Sequence, residues 1–248
     1  LAIDPSGPQT IYAGTNRGVF RSSNGGSSWE AIYTGPANAY NVQALAIDPA
    51  DPQIVYAGVL GKGVVKSTNG GGTWGEINTG LTNVFVLTFA IDASNSQIVY
   101  VGTTGGAFKS VDEGKSWTGT ALTNTYVYAL AIPRSRPQTI YAGTGKGVFR
   151  SVNRGDLWEE ASSGLLGGSV QALAIDPSNP QTVYAGTREG VFRSVNGGNS
   201  WTAVSAGLTN TNVYALAIDP SNPQMVYAGT AGGGVFTATL TPSAVSQP

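Results

Sequence analysis

The sequence predicts an all-β protein, a six-bladed β-propeller of four-stranded antiparallel blades with an incomplete, three-stranded last blade. Three observations predict it. The tetrapeptide IYAG at Ile11 returns as VYAG, VYVG, IYAG, VYAG and VYAG, placing its tyrosine at Tyr12, Tyr56, Tyr100, Tyr141, Tyr184 and Tyr227, a spacing of 41 to 44 residues. A period just above 40, filled by short strand-like runs, is the signature of propeller blades. A polar octapeptide punctuates five of the six repeats: SSNGGSSW at Ser22, STNGGGTW at Ser67, SVDEGKSW at Ser110, SVNRGDLW at Ser151 and SVNGGNSW at Ser194. Finally, no segment carries apolar residues at helical spacing.

The second repeat shows the elements in order. NVQALAID (41–48) alternates small and large residues and forms strand A. QIVYAG (53–58) and GVVKS (63–67) are β-rich and form strands B and C, and TWGEIN (73–78) forms strand D. Between them, DPADPQ, VLGK and the octapeptide carry turn chemistry. Small residues in A and B suit the inner strands, where neighbouring sheets converge. The expected blades are 1–36, 37–80, 81–123, 124–166, 167–209 and 210–240, in one domain with a tail at 241–248. Leu1 aligns with Leu45, the middle of strand A, and the sixth repeat has no octapeptide and no strand D. The expectation is that upstream residues complete the last blade, or that it keeps three strands and an open edge over 234–240, which could recruit a partner strand.

Composition narrows the function. The 248 residues are 41% hydrophobic, enough for a full core. A formal net charge of −1 with 11% charged residues argues against a nucleic-acid partner. With no Cys and no His, disulfides, thiolate nucleophiles, Cys/His metal sites and His-based triads are excluded. No apolar run is long enough for a transmembrane helix, so no direct membrane span is expected. No cofactor or metal is implied. The Thr/Ser/Asn/Gly-rich, Lys-poor composition leans towards a secreted or periplasmic setting.

The pattern Ser-x-Asp/Asn-x-Gly-x-Ser/Thr-Trp resembles the Asp-box (BNR) repeat, and the surrounding LAIDPSNPQTVYAGT…GVFRS resembles bacterial propellers of that class over residues 1–240. The class includes sialidases, sortilin-type receptors, photosystem II assembly factors and xyloglucanases. The resemblance speaks for the fold and leaves function open. The residues themselves read as turn formers. Asn24, Asn69, Asn153 and Asn196 stand where Asp112 stands in the third copy. That exchange would disarm an acid or a cation ligand but leaves an Asx turn intact. Trp29, Trp74, Trp117, Trp158 and Trp201 are expected to wedge against neighbouring strands, with the fourth turn looser because Leu157 replaces Ser or Thr.

Subtracting the repeat leaves the candidate site. Tyr40, Phe85, Tyr126, Tyr128 and Tyr214 fall in the D–A loops or at the start of strand A, where Gln43 and Gln171 share the position of Tyr128 and Tyr214. The B–C loops lie at the same end of each blade and supply Arg17, Lys62, Lys146 and Arg188. Variable loops on a rigid scaffold are where binding usually resides. Glu189 is the evident carboxylate there, whereas glycoside cleavage needs a pair, and Asp4, Asp48, Asp92, Asp176 and Asp219 begin turns at the other end. The expectation is therefore a non-enzymatic scaffold, docking a protein partner through the D–A/B–C face or the last-blade edge. A glycan is the alternative ligand, and a sialidase- or xyloglucanase-type hydrolase the more remote one.

Overall fold

Each repeat folds as an antiparallel meander because β-branched and aromatic runs alternate with Gly-, Asn- and Asp-rich turns. The computed structural model describes residues 1–36, 40–166 and 168–239. They form a six-bladed β-propeller. Blade one comprises β1 (Ala2–Ile3), β2 (Ile11–Thr15), β3 (Gly18–Ser22) and β4 (Glu30–Tyr33); blade two β5 (Val42–Ile47), β6 (Val55–Val59), β7 (Gly63–Ser67) and β8 (Gly75–Glu76). Blade three holds β9 (Val86–Ile91), β10 (Val99–Thr103), β11 (Gly106–Ser110) and β12 (Thr118–Thr123); blade four β13 (Val127–Ala131), β14 (Ile140–Thr144), β15 (Gly147–Ser151) and β16 (Glu159–Glu160). Blade five holds β17 (Val170–Ile175), β18 (Val183–Thr187), β19 (Gly190–Ser194) and β20 (Thr202–Ala203). Blade six has three strands, β21 (Val213–Ile218), β22 (Met225–Thr230) and β23 (Gly234–Thr239). Leu240, the last residue of the expected open edge, and the tail 241–248 lie outside the described residues, as do 37–39 and 167.

The chain divides into two compact units, Leu1–Ile140 with Ser151–Trp158, and Tyr141–Arg150 with Glu159–Pro248. In both, burial peaks on the B strands. Every residue of β6, β10, β14 and β18 is buried, whereas β8, β16 and β20 are exposed. The Gly of the YAG-type motif in blades one, two, three and five follows from this packing. A Cβ on Gly58 would lie 2.8 Å from the Val86 side chain of the next blade, and one on Gly186 would lie 2.7 Å from that of Val213. Only glycine lets the A strand of one blade lie this close to the B strand of its predecessor.

The aspartates that end the A strands cap the following turns. Asp48 Oδ1 accepts from the Ala50 amide at 2.8 Å, Asp176 from Ser178 at 2.8 Å and Asp219 from Ser221 at 2.8 Å. Bonds from the Ser221 hydroxyl and amide hold the Asp219 carboxyl below its ordinary pKa.

Candidate functional site

The octapeptide turns are closed on themselves. In the second, the Gly71 amide donates to Ser67 Oγ at 2.8 Å and the Thr73 amide to Asn69 Oδ1 at 2.8 Å, while Ser67 Oγ donates to Asn69 Oδ1 at 3.0 Å. The fourth turn keeps the same backbone bonds, with the Leu157 amide 2.9 Å from Asn153 Oδ1. Leu157 removes only the side-chain bond that Ser or Thr adds, so this turn is not loosened as expected. In the third, the Ser116 hydroxyl and amide and the Ser110 hydroxyl hold the Asp112 carboxyl down to about 2.

The second to fifth turns are also gripped by the preceding blade. The Tyr12 hydroxyl donates to Gly70 O at 3.1 Å and Arg21 Nη1 to the same oxygen at 2.8 Å. Tyr56 and Lys66 Nζ both donate to Glu113 O at 3.2 Å, Tyr100 to Arg154 O at 3.0 Å, and Tyr141 and Arg150 to Gly197 O at 3.2 and 2.7 Å. Burial pushes the Tyr12, Tyr56 and Tyr100 phenols above their ordinary pKa, keeping them as donors. Glu113 and Arg154 sit at φ +60°, a left-handed position that costs other L-residues about 1–2 kcal/mol. Their side chains find partners in compensation, Glu113 with Lys66 Nζ at 3.0 Å and Arg154 with the buried Asp92 at 3.0 Å.

At the opposite end of blades two, three, five and six, strand A begins with a β-bulge. Val42 pairs with Val59 and Ala44 with Gly58, leaving Gln43 without a partner across the ladder. Leu87, Gln171 and Tyr214 occupy the same irregularity in blades three, five and six. A bulge re-aims the extra side chain. In the first unit β5 packs against β9 and β9 against β13, so Gln43, Leu87 and Tyr128 begin neighbouring strands; in the second, β17 packs against β21, bringing Gln171 and Tyr214 together.

Tyr126 and Tyr128 stack at 5.8 Å between centroids, with planes 23° apart. Tyr126, Phe85 and Tyr214 are all about half exposed, at 51%, 44% and 54%. Gln43 Nε2 is fixed by Asn41 Oδ1 at 2.6 Å and Gln171 Nε2 by Ser169 Oγ at 2.8 Å; Asn212 Nδ2 reaches the Tyr214 hydroxyl at 3.4 Å. These supporting residues, and Leu87, were missed by sequence reasoning. The available signal was their place at or just before the bulge.

Other candidates are held differently. Tyr40 packs on Tyr33 at 4.9 Å, and Lys62 Nζ sits 5.0 Å over the Tyr40 ring while pairing with Glu76 at 2.8 Å. The Glu76 carboxylate, then the Tyr40 hydroxyl, raise the Lys62 ammonium to about 12. This knot engages both candidates with each other. Arg17 lines a shallow cleft with Phe20 and Trp29. Arg17 and Lys146 stand two residues after a Thr whose Oγ1 accepts their amides at 3.0 Å; both side chains and that of Arg188 are exposed. Among the described residues no helix is long and apolar enough to cross a membrane.

Comparison with known proteins gives relatives in structure only. No family model matches the chain, and no curated protein matches it. Among solved structures, it is similar to the GH74 enzyme of Niastella koreensis, with 23% identity over 95% of this chain and 44% of that one and a TM-score of 0.77. It is similar to the GH74 xyloglucanase of Xanthomonas campestris, with 21% identity over 99% and 45% and a TM-score of 0.79. It also matches YCF48 from Cyanidioschyzon merolae, with 16% identity over 82% and 68% and a TM-score of 0.59. The chain thus spans less than half the length of either GH74 protein, and the likeness establishes the propeller fold. These neighbours correct the functional expectation. A non-catalytic scaffold for protein partners, acting through the loop face or the last-blade edge, is overturned by the GH74 enzymes, one a xyloglucanase, among the structures it matches.

Proposed function

We propose that the chain is a polysaccharide-handling propeller of xyloglucanase type, in which the ends of the A strands in blades three and four hold an extended glycan. One observation carries the reading: the stacked Tyr126–Tyr128 pair, with Tyr126 half exposed, beginning a strand that packs against the one preceded by the exposed Phe85. A pyranose ring offers an apolar C–H face and a rim of hydroxyls. Flat aromatic rings with polar handles suit the face, and a fixed amide such as Gln43 offers both donor and acceptor to the rim. The fold shared with the xyloglucanase supports this ligand class, and an extracytoplasmic setting accords with it. The octapeptides are read as Asp-boxes, turn devices at the other end of each blade.

Affinity electrophoresis in xyloglucan, with calorimetry on its oligosaccharides, tests the proposal. The unmodified chain is expected to be retarded, and Tyr128→Ala to weaken binding by about tenfold, the scale of one lost aromatic contact. Absence of retardation by xyloglucan and by other β-glucans, or binding indifferent to both Tyr126→Ala and Tyr128→Ala, would overturn it.

A further inference from the structure

Strand C carries a cation at one position of the repeat: Arg21, Lys66, Lys109 and Arg150 in blades one to four. Three of the four are spent on hydrogen bonds. Arg21 donates to Gly70 O at 2.8 Å and pairs with Glu30 across the ladder. Lys66 donates to Glu113 O at 3.2 Å and to its carboxylate at 3.0 Å. Arg150 donates to Gly197 O at 2.7 Å and to Glu159 at 2.9 Å. Lys109 is different. Across the ladder it meets Thr118, where Arg21 and Arg150 meet Glu30 and Glu159. Its side chain is only 21% exposed, yet its ammonium makes no hydrogen bond among the described residues. Asp156 Oδ1 stands 3.9 Å from Nζ, and the Tyr100 ring centroid 6.0 Å.

The space beside Lys109 is open. In blades one and two an isoleucine of the outer strand presses on the next octapeptide: a Cβ on Gly71 would stand 2.4 Å from Ile32 Cδ1, and one on Gly114 2.6 Å from Ile77 Cδ1. In blade three the ladder puts Thr120 at that position, with Gly119 before it, and a Cβ on Gly155 would stand 3.5 Å from Thr120 Cγ2. The smaller side chains leave a cleft of 420 Å³ between β12 and the fourth octapeptide, lined by Val111, Thr118, Gly119 and Thr120 together with Lys109 and Asp156. These last two are the ionised groups of its lining. Asp156 is peculiar to this turn, since Ser27, Gly72, Lys115 and Asn199 hold its position in the other four. Its side chain is 72% exposed, free to turn towards a ligand.

We propose that this cleft binds a neutral polyhydroxylated ligand, a single pyranose unit held through adjacent hydroxyls. A separation of 3.9 Å is too long for a hydrogen bond between ammonium and carboxylate. One hydroxyl oxygen fits at about 2.8 Å from both, accepting from Lys109 Nζ and donating to Asp156. The neighbouring hydroxyl donates to the second carboxylate oxygen, with the Thr118 hydroxyl alongside. Gly119 leaves the strand surface flat under the ring, and the exposed Val111 offers an apolar patch to its C–H face. A phosphate, sulfate or carboxylate would gain Lys109 but meet the Asp156 charge, so the pair selects against anions. The site lies at the octapeptide end of the blades and uses none of the residues of the glycan reading, so each stands without the other.

The test is amide NMR of the 248-residue chain titrated with xylose, glucose and galactose and with their methyl glycosides. Saturable shifts of the Thr118, Thr120 and Asp156 amides are expected. Lys109→Met keeps the buried stem and removes the donors. Asp156→Ala removes an exposed carboxylate and keeps the test decisive if Lys109→Met misfolds. Each should weaken binding about tenfold, the scale of one hydrogen bond to a charged group. Tyr128→Ala should leave these shifts unchanged, which separates this site from the strand ends of the glycan reading. Equal binding of a sugar and its methyl glycoside assigns the ligand to a unit of a glycan chain; binding of the reducing sugar alone assigns it to a free sugar. No saturable shift with any of these sugars, shifts that both variants leave intact, or tighter binding of inorganic phosphate than of every sugar overturns the proposal.

Discussion

Trp117 and Trp158 stand at the same position of successive octapeptides, within turns of the same hydrogen-bonding pattern. Trp117 is 4% exposed and bonds to the outer strand of the blade before it. Trp158 is only partly buried and bonds to Gly155 of its own turn. The difference lies 40 residues upstream: Gly80-Leu81 ends blade two, where a Cβ on Gly80 would stand 2.1 Å from Trp117 O, whereas TALT ends blade three with no glycine. A motif residue's role is thus set by its neighbour's loop and not by the motif.

The largest test of this comparison is truncation. Trp117→Ala should cost about 3–5 kcal/mol, as for a fully buried aromatic, and Trp158→Ala about 1–2 kcal/mol, both read by denaturant unfolding. Equal costs would dissolve the distinction. The left-handed glycines that follow the outer strands, Gly80 and Gly207, come next. Gly80→Ala should cost about 3 kcal/mol, combining left-handed strain with collision against a backbone oxygen, while Gly207→Ala should cost only the strain, about 1–2 kcal/mol.

The tyrosine grip yields a smaller effect with a defined pH dependence. The Tyr12, Tyr56 and Tyr100 phenols have folded pKa values raised above 10.0. A raised value means that the folded state holds the proton more tightly. This contribution is fully present below pH 10 and is lost as pH rises beyond it. Thermal melts between about pH 9 and about pH 12 should show this decline, and Tyr56→Phe should cost about 1 kcal/mol at neutral pH and flatten it. The smallest expected effect is at Asp112, whose pKa is lowered from 3.8 to about 2. Its contribution is present above pH 3.8 and fades as pH falls towards 2. Asp112→Asn, the residue of the other four copies, should remove that acid dependence and leave the neutral-pH melting temperature unchanged.

Much of the fold was legible because its cause is local and repeated. The YAG period, the Asn-Gly turns and the alternation of Val170–Ile175 each follow from short-range backbone and side-chain preferences. The candidate site was legible only in outline. Tyr126 and Tyr128 were found by subtracting the repeat, and they stack. The bulge that frees Gln43 and Gln171 from the ladder leaves no mark in composition, because it arises from how strands A and B register. The sequence offers Lys62 and Tyr40 as binding candidates of the loop face, but Glu76, fourteen residues on, draws Lys62 back over the Tyr40 ring.

The sequence by itself determined six repeats, their strand order and the missing fourth strand of the sixth, because hydrophobic periodicity and turn chemistry act over a few residues. Tertiary structure alone decided which tryptophans are buried and which turn carbonyls the tyrosines hold. Those facts depend on contacts between blades about 40 residues apart. There, burial and close backbone approach select the partner, and no local propensity encodes it.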